Sequence, residues 1–206
     1  MLYFIIRVLI GLLFMVCAIV AVKKLKKNRS AIVYISIVGI SVLLTVVLAF
    51  LPFENLFVTF KSPKEAYDYY LPGKSNIELV VEGDACVFVI DHKQDYSYSC
   101  LIVPKTADGY KIGIGSKTKA VARVFSNGIS AHVYQYGNTN DFFVTVLDTG
   151  GGTAVVSDDY GTEFYPLESV NDSLGKVFVT YHGHIDSFDK EYRILVNDTE
   201  IVLKSD

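Results

Sequence analysis

The sequence predicts a membrane protein, a two-helix transmembrane hairpin followed by a mainly antiparallel β domain with one short helix outside the membrane. Three observations lead there. Two apolar runs of lipid-spanning length open the chain, a basic turn lies between them, and the rest is acidic and broken into short β-branched and aromatic runs.

The 206 residues are 51% hydrophobic and only 20% charged, whereas a soluble domain carries about 25% charge. The imbalance is local. Residues 1–52 hold Arg7, Lys23, Lys24, Lys26, Lys27 and Arg29 and no acid, so the remainder sets 13 basic residues against all 22 acidic ones. A basic head and an acidic body point to membrane contact at one end. The acidic body excludes nucleic acid as a partner, because that binding needs clustered Lys and Arg on phosphates.

Leu2 to Val22 carries one charge and Ala31 to Leu51 carries none. Each run holds about 21 residues and, as a helix, spans about 31 Å, the thickness of a bilayer's hydrocarbon core. Arg7 lies within two turns of the start, where its stem is expected to snorkel to the head groups. Residues 23–30 join the two spans. Lys23, Lys24, Lys26, Lys27 and Arg29 set the topology, since short basic loops stay in the cytoplasm. Both termini and residues 53–206 are therefore expected outside, on a multi-pass cell-membrane protein. No small-residue cleavage site follows Ala21, so the first span reads as an anchor and not as a signal peptide. Gly39 and Ser41 offer a small-residue face for another membrane protein.

In the outer domain Ser62 reads as a helix cap, Pro63 as the first helical residue and Glu65 as the return partner of a capping box. The helix is expected to run to about Tyr70. Beyond it, strands are expected at Ile77–Val81, Ala85–Ile90, Tyr96–Val103, Tyr110–Ile114, Ala120–Phe125, Ile129–Tyr136, Phe142–Leu147, Thr153–Val156, Val177–Tyr181, Tyr192–Val196 and Ile201–Leu203. Asn127-Gly128 is the strongest hairpin signal, since both residues tolerate positive φ. Asn197-Asp198 is expected to turn the last hairpin. Pairing the 85–90 and 96–103 runs about Lys93 sets Cys86 opposite Cys100, and a disulfide between them suits an oxidising compartment.

Two stretches invite a chemical reading. His182, His184 and Asp186 share one face of an extended chain, where three side chains would converge on a metal. The run is superficially similar to the HxHxDH signature of the metallo-β-lactamase fold, but Ser187 stands where the last His is required. Two exposed histidines at a strand end are the plainer reading. Val146-Leu147-Asp148-Thr149-Gly150 resembles the Asp-Thr-Gly motif of aspartic proteases, with Asp148 as the acid. Here Gly151 and Gly152 replace the usual Ser or Ala, and Asp-Thr before three glycines also makes a loop. No cofactor-binding motif is present; the Gly150–Gly152 run lacks the Lys-Ser/Thr of a phosphate loop. Twelve of 14 tyrosines fall in the outer domain. Tyr96/Tyr98 and Tyr134/Tyr136 form either an aromatic strip for a peptide or glycan or ordinary sheet packing.

The entry to the domain, Ser62-Pro63-Lys64-Glu65-Ala66-Tyr67 behind an apolar span, resembles uncharacterised membrane-anchored extracytoplasmic proteins of Gram-positive bacteria. The resemblance implies a bacterial cell-surface setting and brings no activity with it. The expected function is a membrane-anchored extracytoplasmic interaction or sensing domain without catalysis. The alternatives are a surface hydrolase, through His182 and His184 or through Asp148, and a structural accessory subunit of a membrane complex. Its partners would be the lipid bilayer and another membrane or surface protein, a peptide or a glycan.

Overall fold

The computed structural model describes residues 2–24, 31–50, 57–71, 75–92, 98–112, 118–171 and 176–205. The chain divides into two compact units, Met1–Val58 and Thr59–Asp206.

The first unit is a helical pair, α1 (Leu2–Lys24) and α2 (Ala31–Phe50). By length and composition α1 is able to cross a membrane over Ile5–Lys24. The two helices touch where α1 has no side chain. A Cβ on Gly11 would lie 2.5 Å from Cγ2 of Thr45, whose hydroxyl also donates to the Gly11 carbonyl at 3.1 Å. This close approach uses Gly11 and not Gly39, around which the space is open. Ser41 donates to the Ile37 carbonyl of its own helix. Arg7 is only 8% exposed, so its side chain packs into the unit instead of reaching outward. Lys26, Lys27 and Arg29 lie outside the described residues; Lys23 and Lys24 end α1.

The second unit is mainly antiparallel β. Helix α3 (Pro63–Tyr70) begins where the sequence placed it, with the Ser62 hydroxyl accepting the Glu65 N–H. Glu65 reaches back one residue further than a capping box, to the Lys61 N–H at 2.9 Å. Ala66, Tyr67 and Tyr69 form its buried side.

Four strands follow as one sheet in sequence order: β1 (Ile77–Glu82), β2 (Cys86–His92), β3 (Tyr98–Thr106) and the short β4 (Gly109–Tyr110). The central sheet has five strands in the order β5-β6-β7-β10-β9. Its members are β5 (Thr118–Ser126), β6 (Ile129–Tyr136), β7 (Phe142–Asp148), β9 (Tyr165–Asn171) and β10 (Lys176–Ile185). A third sheet runs β12-β11-β8, from β8 (Val156–Asp158), β11 (Glu191–Val196) and β12 (Thr199–Lys204).

Alternation along the central strands sends side chains to two cores. One face, with Ala131, Val133, Val144, Val146, Val179 and Tyr181, packs on Tyr192, Ile194, Val196, Ile201 and Leu203 of the three-stranded sheet. The opposite face presents Phe143 to Val81, Cys86, Phe88, Ile90 and Ile102 of the four-stranded sheet. Helix α3 lies on that sheet's far side, where the Tyr67 hydroxyl donates to the buried Asp91.

The disulfide is overturned. Strand β2 pairs with β3 two residues off the expected centre, so Cys86 faces Pro104 and Cys100 faces Ile90. Four residues of offset separate the cysteines by roughly 13 Å along the ladder, beyond any disulfide; Cys17, Cys86 and Cys100 are all free thiols. The cause is Asp91. Expected in the turn, it extends β2 because its carboxylate accepts both the Tyr67 hydroxyl and the Asn76 N–H.

Candidate functional site

Polar groups gather where the four-stranded and central sheets meet, and Asp141 is their focus. It stands just before β7, and its side chain is 2% exposed. One carboxylate oxygen, Oδ1, accepts the Asp84 N–H at 2.7 Å and faces His184 Nε2 at 2.8 Å. The other, Oδ2, accepts the N–H groups of Ala85 and Cys86 at 2.6 and 2.7 Å. Three successive amides of the β1–β2 turn thus close on one carboxylate of the central sheet, an arrangement that strongly favours the charged form. Burial pulls the Asp141 carboxyl upward, but the Asp84 amide, His184 and the Ala85 amide outweigh it and hold the group below its ordinary range. Gly83 makes the approach feasible: a Cβ there would lie 2.8 Å from Asp141 Oδ1 and 2.9 Å from His184 Nε2.

His184 continues the chain of contacts, with Nδ1 3.5 Å from the exposed Asp186 carboxylate. It also borders an open cavity of about 250 Å³ lined by Val80, Val81, Glu82, Glu163 and Tyr165. Glu82 is paired with Lys105 at 2.6 Å, and the same ammonium donates to the Gly83 carbonyl. The Tyr165 hydroxyl donates to Glu163 at 2.7 Å. What this pocket offers is an imidazole backed by a fixed carboxylate.

His182 lies two residues before His184 on the same face of β10 and has a different fate. It is 1% exposed. Its Nδ1 meets the Thr145 hydroxyl at 3.1 Å, and its ring packs by Phe88 of the four-stranded sheet. Among the described residues Nε2, which is buried, has no hydrogen-bond partner. Burial without a charged neighbour disfavours the imidazolium, and it pushes His182 down to about 4.

The expectation of two exposed histidines at a strand end is therefore corrected, because sheet stacking covers His182. Among the described residues no group of three His, Cys, Asp or Glu side chains is arranged to hold a metal ion. Asp148 ends β7, and its Oδ1 accepts the Gly150 N–H at 2.8 Å, the bond of a local Asx turn. The neighbouring Thr149 is fixed to the Gly128 carbonyl through both its N–H and its hydroxyl. Tyr98, Tyr134 and Tyr136 pack against the core between the sheets, with the Tyr98 hydroxyl donating to the Glu168 carbonyl at 2.6 Å. Sheet packing accounts for these three rings, which stay partly buried; Tyr96 lies outside the described residues.

A second open cavity, of about 430 Å³, lies between β3 and the β5–β6 edge, lined by Tyr70, Leu71, Ser99, Cys100, Ala120 and Tyr134 among others. Little in the sequence marks Asp141. Its one signal was an acid set directly against the apolar run Phe142–Val146, where a carboxylate needs a partner. No model of a known protein family, no curated protein and no solved structure matches the chain.

Proposed function

We propose that the chain is a two-span membrane protein whose residues 53–206 form an extracytoplasmic module for interaction or sensing, without catalysis of its own. One observation carries the membrane reading: Leu9, Leu13, Phe14, Ile35, Ile40 and Leu43 of the helical pair are each at least 57% exposed. So many large apolar side chains left exposed on two helices suit lipid and not water. Helix α2 has 20 residues, and at a rise of about 1.5 Å it covers the hydrocarbon core as a second span. Lys23, Lys24, Lys26, Lys27 and Arg29 between the spans favour a cytoplasmic turn, with both termini outside.

The non-catalytic reading rests on what the polar groups already do. Asp141 is saturated by three amides and His184, Asp148 closes a turn, and His182 is sealed between sheets. The module's partner would be another membrane or surface protein, a peptide or a glycan, in a bacterial cell-surface setting. One observation favours the hydrolase alternative, the carboxylate-backed His184 beside a cavity that also holds Glu163 and Tyr165. A hydrolytic activity abolished by His184→Gln in a stably folded variant would establish it in place of the binding reading.

Topology is tested by a reporter active only outside the cytoplasm, fused after Asp206. Activity in intact cells is the expected result. A silent fusion that becomes accessible to protease only on lysis overturns the proposal.

A further inference from the structure

We propose that the four-stranded sheet, with α3, is an acid-releasable layer: His182 is the group that takes up the proton, and Asp141 is the latch that holds the layer down at neutral pH. The inference rests on the β unit alone and is independent of the membrane reading.

Both groups sit at the same boundary. His182 projects from β10 beneath Phe88 of β2, with its ring centroid 6.0 Å from that of Phe88. Its cross-strand neighbours are Thr145 of β7 and Tyr165 of β9, and neither carries a charge that would stabilise an imidazolium. One strand further on, His132 of β6 pairs with Thr145 and is engaged with the Ser130 hydroxyl; Arg123 of β5 stands opposite it and adds positive charge to that row. The imidazolium carries a proton on both nitrogens, and with Nδ1 at Thr145 its Nε2–H would find no acceptor among the described residues in this closed space. It becomes tolerable only when Phe88 and its sheet move away and water enters.

The latch is equally specific to this boundary. Asp141 faces the amides of Asp84, Ala85 and Cys86 from the β1–β2 turn, and His184 from β10. Among the described residues, the nearby charges include the Glu82–Lys105 pair from β1 and β3, Asp186 beyond His184, and Glu163 across the cavity that His184 borders. The buried Cys86 thiol stays neutral, because burial first and the Asp141 charge second push it up to about 11. The boundary on the other side of the central sheet differs. Its buried contacts are Ala, Val, Ile and Leu with Tyr181 and Tyr192, flanked by Phe142, Phe164 and Phe188, and Asp158 accepts the Tyr192 hydroxyl within its own sheet. Acid therefore acts on one boundary and spares the other.

Hydrogen exchange of the full chain in a lipid nanodisc tests this, comparing neutral pH with about pH 4 after correction for intrinsic rates. Residues 84–92 are expected to lose protection about tenfold or more relative to residues 191–204, the change one pKa unit of linkage supplies. His182→Leu removes the proton acceptor and should make the ratio independent of pH over that range. Asp141→Asn should lower protection of residues 84–92 already at neutral pH. Equal loss in both segments, no loss in either, or an unchanged pH response in His182→Leu overturns the proposal. The wild-type comparison decides it even if a variant fails to fold.

Discussion

The two faces of the central sheet are built on different physics. Toward β11 and β12, the sheet meets its neighbour through aliphatic side chains, two tyrosines and flanking phenylalanines, an attraction that is non-directional and indifferent to pH. Toward β1–β4 it meets a smaller apolar core around Phe88 and Phe143, reinforced by the Asp141 clamp and interrupted by His182. A boundary that relies on one ionised carboxylate is more specific in register and more sensitive to conditions. The comparison teaches that burial alone does not describe how firmly a layer is held.

The largest effect is expected at Asp141. Replacing it with Ala leaves three turn amides and His184 without their acceptor, a loss of about 3–5 kcal/mol by analogy with broken buried pairs. Denaturant unfolding followed at Phe88 and again at Tyr192, through site-specific labels, should show the first probe moving well ahead of the second. Coincident transitions would mean that the two faces are not separable.

Next comes the pH dependence. Burial keeps His182 neutral in the fold down to about pH 4, whereas the unfolded side chain takes up its proton near 6.5, so its contribution is present above that value and is lost as pH falls toward about 4. At about 1.4 kcal/mol per unit, the loss approaches 3 kcal/mol. Asp141 adds a second decline below its ordinary value of 3.8, because its carboxyl is held low in the fold and the unfolded chain takes up the proton first. Stability measured from neutral pH down to below 3.8 should fall in two stages, and His182→Leu should remove the upper one.

On the opposite face, Tyr192→Phe deletes a hydroxyl that donates to Asp158 at 2.5 Å. A loss of about 1–2 kcal/mol is expected, with no change in the pH profile between 4 and 6.5. The smallest effect belongs to Asp148→Asn. Asn serves an Asx turn as well as Asp does, so stability should stay within about 0.5 kcal/mol. A thermal melt is enough to check both variants.

What the sequence made legible was local. Asn127-Gly128 and Asn197-Asp198 adopt the positive φ that their residue types favour, and β6 keeps the bounds Ile129–Tyr136 that alternation suggested. The α3 cap followed from Ser62 and Pro63 for the same reason. Strand β9 was missed because Pro166, Glu168 and Ser169 break the apolar pattern. It is an edge strand, where a missing N–H is tolerated. The β2–β3 register failed because Asp91 finds its partners, Tyr67 and Asn76, across the fold and not within the turn. The clamp lay beyond reach for a similar reason. Asp141 meets amides more than fifty residues away, and backbone donors carry no mark in a sequence.

The amide proton resonances of Asp84, Ala85 and Cys86 report most directly on whether one carboxylate fastens the two layers. In the wild-type chain at neutral pH all three should lie downfield, as charge-assisted hydrogen bonds require, and all three should move upfield together in Asp141→Asn. Resonances that stay in place when the charge is removed would show that nothing clamps the turn and would contradict the account.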